Sequence, residues 1–212
     1  MNICRSMLSQ MANKVVALFV EGPTEIEFYK AVIKYGHDVM QTQFDCSFEW
    51  LDMHGIGNYK NDALRKFKNT QKKHPNDNIY AILCIDTDVF DLAKKPPINK
   101  SAVKASLESA GAKKVYYVEA RHSIEDWFLS DYKGVLSYLN LPKGTKKPLG
   151  KGQDALKALF RSAKKVYIKG GKTEGFIKKL DIAKIVSTNC KSIKPLCQIV
   201  GMDCKKVCKK GK

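Results

Sequence analysis

The chain has 212 residues, 44% hydrophobic and 28% charged, enough apolar surface for a core of its own and too much for a disordered chain. Its 38 Lys and Arg against 21 Asp and Glu leave a net charge of +17. No run approaches the roughly 18 apolar residues of a membrane span. The early run 15–20 leads into Glu21-Gly22-Pro23 rather than a small-residue cleavage site, so a signal peptide is not expected and the expected compartment is the cytoplasm.

The elements follow in chain order. Residues 1–13 read as a leader. Residues 15–20 form a continuous apolar run, the pattern of a buried strand. A helical stripe follows over 24–35, with Pro23 suited to its first turn. Residues 44–53 alternate as a second strand, and 58–73 read as a polar helix with Ala63, Leu64 and Phe67 inward. Residues 79–85 give the strongest buried strand. A helix over 101–110 ends at Gly111, and 115–118 form a fourth strand. Ser123 is placed to cap a helix over 124–130, with Asp126 completing a capping box. The alternation predicts an α/β domain over 14–141 with a mostly parallel sheet flanked by helices. Beyond the Gly/Pro/Lys-rich stretch 142–152, short helical patterns at 154–164, 173–180 and 192–200 predict a basic, mainly helical region over 142–212.

The charge is unevenly placed. Residues 1–142 carry 18 basic and 17 acidic residues, whereas residues 143–212 carry 20 and 4. A dense positive surface attracts polyanions through counterion release, which points to nucleic acid. A solvated, solubilising lysine surface is the plainer alternative. Lys143, Lys146, Lys147, Lys151, Arg161, Lys164, Lys165 and Lys172 are the candidate contacts to a nucleic-acid backbone. An anionic membrane surface has no support, because no Trp-bearing amphipathic face accompanies the charge. Of the seven cysteines, Cys46 and Cys84 sit in apolar strand-like runs and read as buried thiols. Cys190, Cys197, Cys204 and Cys208 lack paired C-x2-C spacing and have no His nearby, so reduced thiols are expected there ahead of metal or disulfide chemistry.

Ligands of parallel α/β sheets bind beyond the carboxyl ends of the strands, and acidic residues fall at three such ends. The first strand runs into Glu21-Gly22-Pro23-Thr24-Glu25, the third into Asp86-Thr87-Asp88, and the fourth into Glu119, with Glu125 and Asp126 following. Asp86 and Asp88 are two apart and would share a side in an extended strand. Their oxygens suit a hard cation, Mg2+ or Mn2+. Glu25 lies one helical turn beyond Glu21, and Gly22 would allow a tight turn close to a phosphate. A lone D-x-D is also common in turns and caps, and acidic residues complement helix N-termini without any chemistry. The ordered succession of strand, EG, helix and then strand, DxD favours a metal site.

These motifs, VALFVEGPTEIEFY over 16–29 and ILCIDTD over 82–88, resemble the Toprim domain, the Rossmann-like metal-binding fold shared by topoisomerases and primases. The EGPTE form is most similar to the branch found in OLD-family nucleases and small bacterial Toprim proteins, many tied to phage defence. The resemblance covers roughly residues 14–131 and implies divalent-metal phosphodiester chemistry on DNA or RNA. It implies Glu21 and Glu25 on one ion, Asp86 and Asp88 on a second, Glu125 (with Glu119 behind it) as a further ligand, and Lys169 as the downstream lysine. No G-x4-G-K-[ST] loop is present, so any ATPase or activator is expected in trans. In such a site Arg121 or Lys169 could stabilise charge on a phosphate in the transition state, and His122 is a minor acid–base candidate. Alternatives are a non-catalytic nucleic-acid-binding subunit and primase-like nucleotidyl transfer.

Overall fold

Every residue of the first predicted strand is shielded because that strand lies in the middle of a four-stranded parallel sheet of order β2-β1-β3-β4. The computed structural model describes residues 13–92, 95–169 and 175–209; residues 1–12 of the expected leader, and Lys172, lie outside them. The strands are β1 Lys14–Val20, β2 Ser47–Asp52, β3 Asn78–Asp86 and β4 Val115–Ala120. β1 pairs with β2 from Val15↔Ser47 to Val20↔Asp52, and with β3 from Lys14↔Asn78 to Phe19↔Leu83. The α/β class and parallel sheet expected from the alternation are therefore present.

Period-two alternation divides the core into two layers. Val15, Ala17, Phe19, Ala81 and Leu83 face α2 (Tyr59–Lys73) and α4 (Lys100–Ser109) through Phe67, Val103 and Leu107. Val16, Leu18, Val20, Ile82 and Cys84 face the other way, onto Phe28 and Val32 of α1 (Pro23–Met40) and Trp127 and Phe128 of α5 (Ile124–Ser130). α3 (Asp88–Leu92) and α6 (Tyr132–Leu139) are short. The basic region supplies α7 (Gly152–Ser162), α8 (Ile182–Thr188), α9 (Cys190–Val200) and α10 (Cys204–Val207). Its Leu156, Phe160, Phe176, Ile185 and Leu196 join the same layer as β1 and α5. Most of its described lysines are exposed, while its apolar stripe completes the core. No described helix is long and apolar enough to cross a membrane.

Several local expectations change. Over 173–180 the described part holds only a 3-10 turn, Ile177–Lys179. The capping box at Ser123 does not form: Ser123 Oγ is buried without a partner, and Asp126 accepts from Gly152 N at 2.9 Å instead. Gly22 is extended, with φ −175°, so no glycine-dependent turn follows β1. The cysteine expectation is corrected for two residues, because Cys190 and Cys208 form a disulfide. The α9–α10 hairpin brings their Cα atoms to 5.7 Å, within disulfide reach despite a sequence separation of 18. Cys46, Cys84, Cys197 and Cys204 are free thiols, and Cys84 and Cys197 are buried.

Candidate active site at the carboxyl edge of the sheet

The chain leaves β1 toward β2 and leaves β3 toward β4, on opposite sides. The crevice between β1 and β3 is thus the switch point of the sheet, where parallel α/β folds place ligands. Glu21 immediately follows β1 and Asp86 ends β3, so the crevice is acidic by construction. Pro23 starts α1 in its first turn, and the helix carries Glu25 back over the strand end, where Glu25 Oε2 accepts from Glu21 N at 2.9 Å. Glu21 Oε1 accepts from Asp86 N at 3.3 Å, which ties the two strand ends together. Asp86 Oδ1 accepts from Ile124 N, in the first turn of α5, at 2.8 Å. That helix holds Glu125 at 0% exposure beside them.

Lys169 follows α7 in a segment without helix or strand and reaches into the same cluster. Its Nζ is 2.7 Å from Asp86 Oδ2 and 4.0 Å from Glu21 Oε2. Two residues earlier, Tyr167 donates its hydroxyl to Glu125 Oε1 at 3.0 Å. Exposure alternates along the segment: Tyr167 is buried, whereas the intervening Ile168 and the preceding Val166 face outward, at 65% and 81% exposure. Val166-Tyr167-Ile168-Lys169 therefore acts as a strap that delivers one hydroxyl and one ammonium group.

The electrostatics follow from a shortage of positive charge. Burial raises Glu21 above the usual carboxylate range, with Lys169 opposing and Asp88 and Glu125 adding to the rise. Burial, then Asp86 and Glu21, push Glu25 well up. Asp86 is pushed up to about 7 by burial, which Lys169 opposes and Glu21 and Glu125 reinforce. For Lys169, burial alone would lower the amine, but Asp86 and Glu21 hold it above its ordinary value. The ion pair lowers the proton affinity of Asp86 and raises that of Lys169, yet on balance Asp86 still rises. One ammonium group does not neutralise four buried carboxyls, and the surplus is met by retained protons or by added cations.

Of the sequence-predicted ligands, Glu21, Glu25, Asp86 and Glu125 come together with Lys169. Asp88 is adjacent but held differently. β3 ends at Asp86 and Asp88 opens α3, where its Oδ1 accepts from Val89 N at 2.7 Å. The extended two-residue spacing is therefore not what brings the two aspartates to one edge. Instead the β3 and β4 ends are knitted together: Thr87 N and Asp88 N donate to His122 O at 2.9 Å each, and His122 N donates to Thr87 Oγ1 at 2.9 Å. His122 adopts φ +64°, uncommon for a residue with a side chain. Asp88, His122, Ser123, Asp126, Lys151 and Gly152 line an open cavity of about 360 Å³ beside the cluster. Glu119 is turned away, paired with Lys100 at 2.9 Å. Arg121 is exposed and makes no ion pair with any described residue. Lys143, Lys146, Lys147, Arg161, Lys164 and Lys165 are exposed, Lys165 lying over the Tyr138 ring at 4.7 Å. Of the basic candidates, Lys151 is the one that lines the cavity.

Sequence reasoning missed Tyr167 and Ser123 as site residues, and it placed Asp126 among the strand-end acidic residues without assigning it as a ligand. The alternation around Lys169 was the available signal for Tyr167. Among the described residues no three His, Cys, Asp or Glu side chains already form a metal cage. The donor set nevertheless suits a hard cation. It consists of carboxylate oxygens, and Glu125 Oε2 and Asp126 Oδ2 are buried with no hydrogen-bond partner. Comparisons with family models, with curated proteins and with solved structures gave no match.

Proposed function

We propose that this protein is a divalent-metal-dependent nuclease of the Toprim type, hydrolysing phosphodiester bonds in DNA or RNA. The observation that carries this reading is the convergence of Glu21, Glu25, Asp86 and Glu125 with Lys169 at the switch point of a parallel sheet, next to an open cavity. Glu21, Glu25, Asp86, Asp88 and Glu125 would hold Mg2+ or Mn2+, two ions in the Toprim arrangement. When bound, such cations neutralise phosphate oxygens and activate water, the help that phosphodiester hydrolysis needs.

The chain's own groups supply the rest. Tyr167 fixes Glu125 by donating to its Oε1, leaving Oε2 to face the site. Lys169 is a cation that can turn from Asp86 toward a phosphoryl oxygen as negative charge builds there. Lys151 sits at the cavity wall, where an incoming phosphate passes. The exposed lysines of residues 143–165 supply sequence-independent backbone attraction.

The test is cleavage of labelled DNA and structured RNA by the purified protein with Mg2+ or Mn2+, beside folded Glu21→Ala and Asp86→Ala variants. Metal-dependent products that vanish in both variants are expected. Unchanged cleavage in both would remove the assigned site. No cleavage of single or double strands with either metal would overturn the nuclease reading for the chain acting by itself.

A further inference from the structure

β2 is an edge strand, and its face toward α1 carries aromatic rings that the core does not absorb. Phe48 and Trp50, two residues apart on that face, are half-buried and stack at 6.0 Å with an interplanar angle of 27°. Phe44 lies before them, edge-on to His37 at 6.2 Å. Lys30 and Lys34, one turn apart on α1, are exposed along the same side, with Lys30 Nζ 5.4 Å from the Trp50 ring centre. Together these groups line an open groove of about 450 Å³. The Lys34–Asp38 pair at 3.5 Å is exposed on both sides, so it leaves Lys34 available to an anion.

We infer that this groove is a stacking site for unpaired bases, and that the nucleic acid taken by the protein is single-stranded. The inference rests on the nucleic-acid reading above. Rings offer flat faces to bases of any sequence, and neighbouring ammonium groups meet the phosphates. A duplex hides its base faces, so it gains from the lysines alone. The groove is also correctly placed. Trp50 is in register with Leu18, and the β1–β2 ladder ends two residues later at Val20↔Asp52, roughly 7 Å along the strand. Glu21 follows at once, so a strand laid in the groove heads for the carboxylate edge.

The test needs no catalysis. Trp50 and Trp127 are the chain's two tryptophans, and Trp127 is 2% exposed, so a ligand that quenches fluorescence reports Trp50. Titration in EDTA with a DNA or RNA oligonucleotide, and with the corresponding duplex, is expected to give quenching by the single strand and about tenfold tighter binding than the duplex. Trp50→Ala should weaken single-strand binding by about tenfold. Lys30→Glu/Lys34→Glu, at exposed positions that leave folding intact, should weaken it and flatten its salt dependence. Equal affinity for duplex and single strand, or single-strand affinity unchanged in the charge-reversal variant, would overturn the inference. Quenching without cleavage under any metal would support the groove and remove the nuclease reading; cleavage without quenching would remove the groove alone.

Discussion

Two buried carboxyl sites in this molecule differ in one respect, the balance of donors. Asp131, between α5 and α6, is 4% exposed. Its Oδ2 accepts from Asp181 N at 2.8 Å, and its Oδ1 faces Lys184 Nζ at 3.4 Å. Each oxygen has a partner and the charge has a counter-charge, so Asp131 works as a pin between α6 and the start of α8. At the carboxyl edge, four buried carboxyls share one ammonium group, and Glu125 Oε2 and Asp126 Oδ2 have no donor. Burial alone does not mark a functional carboxylate. An excess of acceptors over donors does, because such a cluster is stable only once something positive arrives.

The largest effect that would sharpen this contrast is on activity. Asp86→Ala should lower metal-dependent cleavage by on the order of 100-fold or more, while the melting temperature falls less than in Asp131→Ala, because relief of repulsion among the remaining carboxyls offsets the stranding of Ile124 N and the loss of a partner for Lys169. Circular dichroism melts run beside the cleavage assay check both parts; a loss as large as that of Asp131→Ala would make Asp86 a pin like Asp131. The converse substitution, Asp131→Ala, should cost about 2–4 kcal/mol of stability, because it strands Asp181 N and the Lys184 charge. Denaturant unfolding would measure it. Gly134→Ala belongs with it. A Cβ there would lie 2.0 Å from Asp131 Oδ2 and 2.9 Å from Lys179 O, so a loss of about 1–3 kcal/mol is expected. Next in size is Gly152→Ala at the cavity wall. Gly152 has φ +50°, and a Cβ would meet Ser123 Oγ at 2.4 Å. The expected cost is about 1–2 kcal/mol, with weaker substrate binding in the same variant.

How much of this was legible follows from what each signal depends on. The central strands were readable because β1 and β3 are buried on both faces and must be continuously apolar. Glu21 and Asp86 were readable as strand-end carboxylates because the parallel alternation says where the ends point. Lys169 entered through resemblance, since no local rule places a residue 83 positions from its partner. Ser123 and Asp126 satisfy the local pattern of a capping box, yet α7 docks its first turn on Asp126 and takes that side chain. α6 was not predicted because it is only eight residues long and Gly134 lowers its helix propensity, although Val135, Leu136 and Leu139 form a buried stripe. α8 was not predicted because its Ile182, Ile185, Val186 and Thr188 favour strands over helices. It is helical through the Asp181 cap on Lys184 N and the burial of Ile185 and Val186. The disulfide depends on the α9–α10 hairpin, which no cysteine spacing encodes.

The smallest effect is the most diagnostic of a missing cation. Glu21, Glu25 and Asp86 all hold protons more tightly in the fold than in the unfolded chain, chiefly through burial. The sign is therefore the reverse of ordinary acid denaturation. The stability these groups contribute is fully present below their unfolded pKa values, about 4, and is lost as pH rises through the folded values, about 7 for Asp86. Mg2+ or Mn2+ replaces those protons, so its stabilising effect must grow across the same window. Thermal shift at about pH 5 and about pH 8, with and without millimolar Mn2+, should give a rise of a few degrees at the higher pH and little at the lower. Asp86→Asn should shrink that difference, whereas Asp131→Asn, outside the cluster, should leave it intact. A metal shift independent of pH would mean that the carboxyl surplus is balanced within the chain, and the distinction between the two sites would fail.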